Sequence, residues 1–375
     1  MGPGPSDVNP RILEALSRPT IGHLDPAFIG LMDDIKRLLQ FAFRTKNALT
    51  LPVSAPGSAG MECCFVNLVS PGDQVIVAQN GAFGGRMKEN VERCGGTAVL
   101  VEDEWGTAVD PQKVEDAIRK NPKAKLLAFV HAETSTGARS DADVLCRLAG
   151  QHGLLSIVDS VTGLGGIDVD VDSWGADAVY SGTQKCLSCV PGLSPVTFSP
   201  RAQEVIQKRP ARVQSWFLDL GLVMAYWSGT SQRAYHHTAP INMLYGLHEA
   251  LVILEEEGLE NAWQRHARHH AALADGLEAL GIEFVVDAPH RLPQLNCVRI
   301  PPGVDDAQVR RGLLEDYGLE IGAGLGPLAG KVWRIGLMGF AANRTNVLFC
   351  LGALEALLNR SGGVAAARTV YGNTP

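Results

Sequence analysis

The chain has 375 residues, 46% of them hydrophobic and 19% charged, with a formal net charge of −7; that is apolar material for a large core spread over two or three domain lengths. Its 33 Lys and Arg are outnumbered by 40 Asp and Glu and form no long basic run, which removes the electrostatic case for nucleic acid or an anionic membrane. No apolar stretch reaches the ~20 residues of a membrane span, and the first residues lack a basic-then-apolar signal.

Residues 1–6, Met-Gly-Pro-Gly-Pro-Ser, predict an extended or turning lead-in. Helical patterns follow over 9–16 and 26–43, and a further helix over 61–68 begins just after Pro56-Gly57-Ser58. Strand and helix signals then alternate. Strands are expected at 74–78, 98–101 and 125–131, and helices at 84–94, 111–119 and 141–152. Three more strands are expected at 154–158, 176–180 and 194–198. Near-continuous apolar strands separated by helices predict an α/β fold, its sheet mostly parallel and covered on both faces. After about residue 240 the character changes. Two long helices (241–257 and 259–280) meet near Gly258, followed by strands at 283–286, 296–300 and 331–335 and helices at 305–317 and 343–358. This predicts a large domain over 1–240, including its N-terminal segment. A smaller α+β domain over 241–375 is expected to end in a frayed tail after Asn359.

The eight cysteines are scattered and mostly set in apolar strings, so reduced core thiols are expected, and with them a cytoplasmic address. Two histidine pairs invite a metal. His236 and His237 are adjacent and so point apart with no third ligand in view, while His266 and His270 share a helix with Arg265 and Arg268 and read as a solvated face. No metal site is expected. Cys186 and Cys189 form a single Cys-x-x-Cys without a second pair.

The informative pair is Asp159 and Lys185, each just beyond an apolar strand. In open α/β sheets, ligands bind past the carboxyl ends of the strands. A strand-end carboxylate followed by a strand-end lysine is the arrangement needed to hold pyridoxal 5'-phosphate. The amine forms a Schiff base with the aldehyde, and the carboxylate keeps the ring nitrogen protonated, so that the ring can accept electrons. Gly57 and Ser58 lie in a glycine-rich entry, residues 54–60, that leads into a helix, where free backbone N–H groups and the helix dipole favour a phosphate, and Gln184 adds a side-chain donor. Phe83 lies among glycines and can stack on a flat ring. The hydroxyls after His131 can bond a phenolic oxygen. Arg334 interrupts an apolar strand and demands an anionic partner, either a buried protein carboxylate or a substrate carboxylate.

With those residues placed, the chain resembles the fold-type I, class V aminotransferases, most of all the alanine–glyoxylate and serine–pyruvate type. The matching blocks run in order over nearly the whole chain: residues 2–6, 133–137, 158–161 with 164–166, 181–185, 235–238 and 334–336. The resemblance implies a large domain with a seven-stranded, mostly parallel sheet. It implies that Lys185 is the Schiff-base lysine and proton carrier, that Asp159 pairs with the ring nitrogen, and that Val161 packs on the ring face opposite Phe83. Thr134 would contact the ring oxygen, and Gly57, Ser58 and Gln184 would hold the phosphate. Tyr235 and Thr238 would reach the phosphate bound by a partner subunit, making the active form a homodimer. Arg334 would bind the substrate carboxylate, with Gly4 beside it. Two departures stand out. Pro56 replaces a small residue and removes a phosphate donor, and the chain lacks the N-terminal arm that some relatives wrap around the partner, so a weaker dimer is expected.

The expected reaction is ping-pong transamination between a small amino acid, alanine or serine, and a 2-oxo acid, glyoxylate or pyruvate. No second arginine for a distal carboxylate is evident. Donors such as ureidoglycine, hydroxykynurenine or a phosphonate amine are the alternatives on the same scaffold. A desulfurase would need a cysteine on a mobile loop between Cys297 and Cys350, and there is none. A silent binding protein would not need the Lys–Asp–Arg set.

Overall fold

The computed structural model describes residues 1–227 and 233–372. Its large sheet holds β1 (Leu49–Val53), β2 (Gln74–Gln79), β3 (Thr97–Glu102), β4 (Ala124–Val130), β5 (Leu155–Asp159), β6 (Ala178–Tyr180) and β7 (Ser194–Phe198). The lateral order is β1-β7-β6-β5-β4-β2-β3. The pairs from β6 to β3 are parallel, and β7 runs antiparallel to both β6 and β1. The central strands β4 and β5 are almost wholly buried, as their unbroken apolar runs require of a sheet covered on both faces.

The strand β1 escaped the sequence reading because Pro52 argues against a ladder position. Here β1 lies at the sheet edge with Pro52 opposite Pro195 of β7, and on the other side of β7 the Ser181 carbonyl takes the Ser194 hydroxyl at 2.6 Å in place of an N–H from Pro195.

Two hydrophobic cores follow. One gathers the large sheet with the helices Pro26–Phe43 and Ile241–Glu257. The other packs Trp333, Ile335 and Leu351 with Leu273 and Leu277. The helix Leu259–Ala279 contributes Leu259 and Ala262 to the first core and its later turns to the second. The small sheet is antiparallel, with β10 (Val332–Gly336) between β8 (Leu295–Arg299) and β9 (Gly322–Ala323).

Two expectations fail here. Residues 283–286 form no strand, since Phe284 makes a single bridge to Val298. The tail is not frayed over 363–372: Gly363–Gly372 is a helix packed on Leu259–Ala279, with Ala367 and Tyr371 buried. Small residues read as disorder, yet Val364, Ala367 and Tyr371 share one helical face, and the Tyr371 hydroxyl meets His269 Nδ1 at 2.8 Å.

The N-terminal segment links the small sheet to the loop after β6. The Met1 carbonyl accepts from Gly336 N at 2.7 Å, and Ser6 bonds the carbonyls of Gln184 and Lys185 through its N–H and hydroxyl. Among the described residues no helix is long and apolar enough to cross a membrane.

Candidate active site

Strands β5 and β6 are parallel neighbours with Asp159 in register with Tyr180. That register turns both side chains to one face and lets the Tyr180 hydroxyl donate to Asp159 Oδ2 at 2.7 Å. The Val161 N–H donates to Oδ1 at 2.9 Å, closing the turn beyond the strand. Asp159 is 2% exposed. Burial raises its carboxyl to about 7, against the pull of these two donors. Lys185 follows β6 and is 8% exposed. Burial lowers its amine to about 8, and its Nζ donates to the Pro3 carbonyl at 2.5 Å. The N-terminal segment thus crosses directly over this amine. Gly4 has φ +101°, and a Cβ there would collide with Lys185 Nζ, so position 4 needs glycine twice over.

The helix Gly57–Leu68 starts at Pro56 without a side-chain cap, leaving its first N–H groups available to an anion. A Cβ on Gly57 would lie 3.5 Å from Val161 Cγ2, and one on Gly182 would lie 3.4 Å from Val161 Cγ1. Val161 therefore wedges the Asp159 turn between the helix start and the loop that carries Lys185. In that loop, Gln184 Oε1 is buried with no hydrogen-bond partner. That orphaned amide oxygen awaits a donor, whereas the free N–H groups of the uncapped helix start are what fit an oxyanion arriving from outside the chain.

Arg334 lies on β10 and is also 8% exposed. Its Nε donates to the Ala323 carbonyl at 2.8 Å and its Nη1 to the Thr134 carbonyl at 3.2 Å. Among the described residues no carboxylate contacts it. Of the two partners the sequence allowed, the described residues place no protein carboxylate in contact, and a carboxylate from a bound molecule would complete the guanidinium. Thr134 also hydrogen-bonds Thr162 through its hydroxyl at 2.5 Å. Phe83 is half-buried at the start of the helix Ala82–Arg93, with the Arg86 guanidinium 4.6 Å from its ring centroid. A flat aldehyde with an anionic arm would meet an amine, a carboxylate and an uncapped helix start in one place, so the residues present fit pyridoxal phosphate.

Tyr235 and Thr238 stand apart from this cluster. Tyr235 is 61% exposed, and its hydroxyl lies 3.2 Å from Thr238 Oγ1, which is also exposed. Between them, His237 Nε2 reaches Ser54 Oγ at 2.7 Å, tying this segment to the loop ahead of Gly57. Sequence reasoning missed three partners: Tyr180, Pro3 and Ser54. Each bond depends on register or on a long-range crossing that no local pattern encodes.

The expected solvated histidine face is overturned. His266 is fully buried, with Nδ1 2.6 Å from the Ala262 carbonyl and Nε2 accepting from Gly339 N. His270 bonds Asn296. That helix face carries the small domain and so cannot stay in water. The eight cysteines are free and buried. Among the described residues no cluster of His, Cys, Asp and Glu could hold a metal ion.

Residues 22–334 match the aminotransferase class-V family. The chain is 39% identical to the (S)-ureidoglycine–glyoxylate transaminase of Bacillus subtilis strain 168, over 99% of this chain and 93% of that one. It is 39% identical to the alanine–glyoxylate aminotransferase of Callithrix jacchus, over 96% and 87%. The crystal structure of an alanine–glyoxylate aminotransferase from Nostoc sp. superposes with a TM-score of 0.93 at 45% identity, covering 96% of this chain and 94% of that one.

Proposed function

The chain belongs to the class-V aminotransferases, a pyridoxal-phosphate-dependent family, and from that premise we propose that it transfers the amino group of alanine or serine to glyoxylate or pyruvate, with Lys185 holding the cofactor. The observation that carries the reading is Arg334, a buried guanidinium anchored by two carbonyls and lacking a carboxylate among the described residues. It favours a small donor with one carboxylate, since Arg233, whose side chain is also buried, is already paired with Asp33.

The cofactor supplies an electron sink when bound. Lys185 would hold its aldehyde, and Asp159 would hold the proton on its ring nitrogen. A cationic partner beside Asp159 would draw that carboxyl down from the value burial imposes on it alone. Gly57, Ser58 and Gln184 would hold the phosphate, Thr134 the ring oxygen, and Phe83 and Val161 the two ring faces. Arg334 would orient the donor so that its α-hydrogen faces Lys185 Nζ, which removes that proton and later returns it. Burial suits the amine to this task, because an amine near about 8 spends part of its time neutral at physiological pH.

The working unit in this proposal is a homodimer in which Tyr235 and Thr238 reach the partner's phosphate. Supporting it, Trp216, Phe217, Leu222 and Tyr235 are large apolar groups left exposed in one stretch of chain. A ureidoglycine donor is the second reading, favoured by the Bacillus subtilis relative. Steady-state glycine formation from glyoxylate decides between them. The proposal expects alanine or serine to give the highest kcat/KM, and a ureidoglycine value higher than both would overturn that choice.

A further inference from the structure

Glu133 is completely buried, yet no lysine or arginine contacts it among the described residues. Each of its partners is a donor. Its carboxylate accepts from Phe83 N at 3.2 Å, from Ser135 N at 3.0 Å and from the Ser135 hydroxyl at 2.5 Å. Burial raises the Glu133 carboxyl above the usual carboxylate range, and the donors from Ser135 and Phe83 draw it back down. The stabilising field comes from the helix Ala82–Arg93, whose N-cap, Gly81, has no side chain to offer. Glu133 caps that helix from another part of the chain. The approach is so close that a Cβ on Gly81 would overlap the Glu133 carboxylate and lie 2.6 Å from Ser135 Oγ.

The next two residues extend the link. The Thr134 carbonyl accepts from Arg334 Nη1, and its hydroxyl meets Thr162. Ser135 Oγ accepts from Ala82 N at 2.9 Å while it donates to Glu133. One tripeptide therefore touches the backbone of Phe83 on one side and the guanidinium of Arg334 on the other. We infer that Glu133 is a positioning residue, whose buried carboxylate sets the spacing between the Phe83 ring wall and the Arg334 grip. The inference rests on the proposed roles of Phe83, Thr134 and Arg334.

Glu133→Gln keeps the length of the side chain but turns an NH2 toward backbone donors, so the start of the helix must shift. The test compares purified wild type and variant by the melting curve of the cofactor-free protein, the pyridoxal phosphate Kd, the visible circular dichroism of bound cofactor, and KM against kcat for the amino donor. The expected result is a folded variant with Kd and KM each raised about tenfold and kcat changed less than about threefold, together with a clearly reduced dichroic band. A variant that melts lower but keeps the wild-type Kd, dichroism and KM would mean Glu133 is merely structural and would overturn the inference. If Glu133→Gln yields no folded protein, Ser135→Ala carries the test. It removes the hydroxyl link while leaving the charge, and the same shifts are expected at about threefold; wild-type values there would overturn the inference. Phe83→Ala run in parallel separates the two layers. If it changes the dichroism and Glu133→Gln does not, this inference falls and the ring-wall role stands. If neither changes it, both fall.

Discussion

The Lys185 centre and the 235–238 segment differ in how far one chain completes them. Around Lys185, the two central charged groups find partners within the chain, Asp159 in Tyr180 and Val161 and Lys185 in Pro3, while Gln184 Oε1 and Arg334 are left for a bound molecule. Along 235–238, two residues with proposed cofactor roles lie exposed and bond chiefly to each other. Most buried polar groups are satisfied where they stand, and the few that are not await a ligand, whereas exposed ones can wait for another chain. On this account the first region is a preformed reaction centre, and the second is an offering to another copy.

The contrast is broken most severely at Lys185. Lys185→Ala should reduce turnover by at least about 1,000-fold while cofactor still binds, measured as keto acid release alongside equilibrium dialysis of pyridoxal phosphate. Retained turnover would remove the lysine from the chemistry. Next comes Arg334→Gln, which should raise the amino donor KM about 100-fold and leave cofactor affinity near wild type, because a paired guanidinium–carboxylate contact is lost. A change in cofactor Kd without a change in KM would place Arg334 elsewhere.

The exposed segment is sharpened by mixing chains. Tyr235→Ala should weaken cofactor binding about tenfold. Co-expression of Tyr235→Ala with Lys185→Ala should restore wild-type activity per intact site at limiting cofactor, because each mixed dimer holds one site with an intact lysine and an intact tyrosine. No restoration in a verified mixed dimer would mean that Tyr235 serves its own chain. The smallest effect is in pH. Burial lowers the Lys185 amine to about 8, and only the neutral amine captures an aldehyde. The rate of cofactor capture by the stripped protein should rise about fivefold between about pH 7 and 8 and level off by about pH 9. An amine at the ordinary lysine value would keep accelerating roughly tenfold per unit through that range.

The alternation of strand and helix was legible because the strands of the large sheet other than the edge strand β3 are largely buried on both faces, and apolar runs such as 126–130 leave no other home for themselves. Asp159, Lys185 and Arg334 were legible for a related reason: each places a charge at the end of or inside an apolar strand, where chemistry has to justify it. What stayed hidden depends on crossings. Nothing local says that Tyr180 faces Asp159, that the Pro3 carbonyl lies over Lys185, or that Glu133 caps a helix fifty residues upstream. The terminal helix was missed for the opposite reason. Its small residues look disordered until the face holding Ala367 and Tyr371 is matched with the helix it covers.

The most direct test of the central claim is to load the protein with pyridoxal phosphate, reduce it with borohydride and map the pyridoxyl group by peptide mass spectrometry. The account predicts the modification on Lys185, in the peptide that follows β6. A pyridoxyl group fixed on another lysine, or on none, would contradict it.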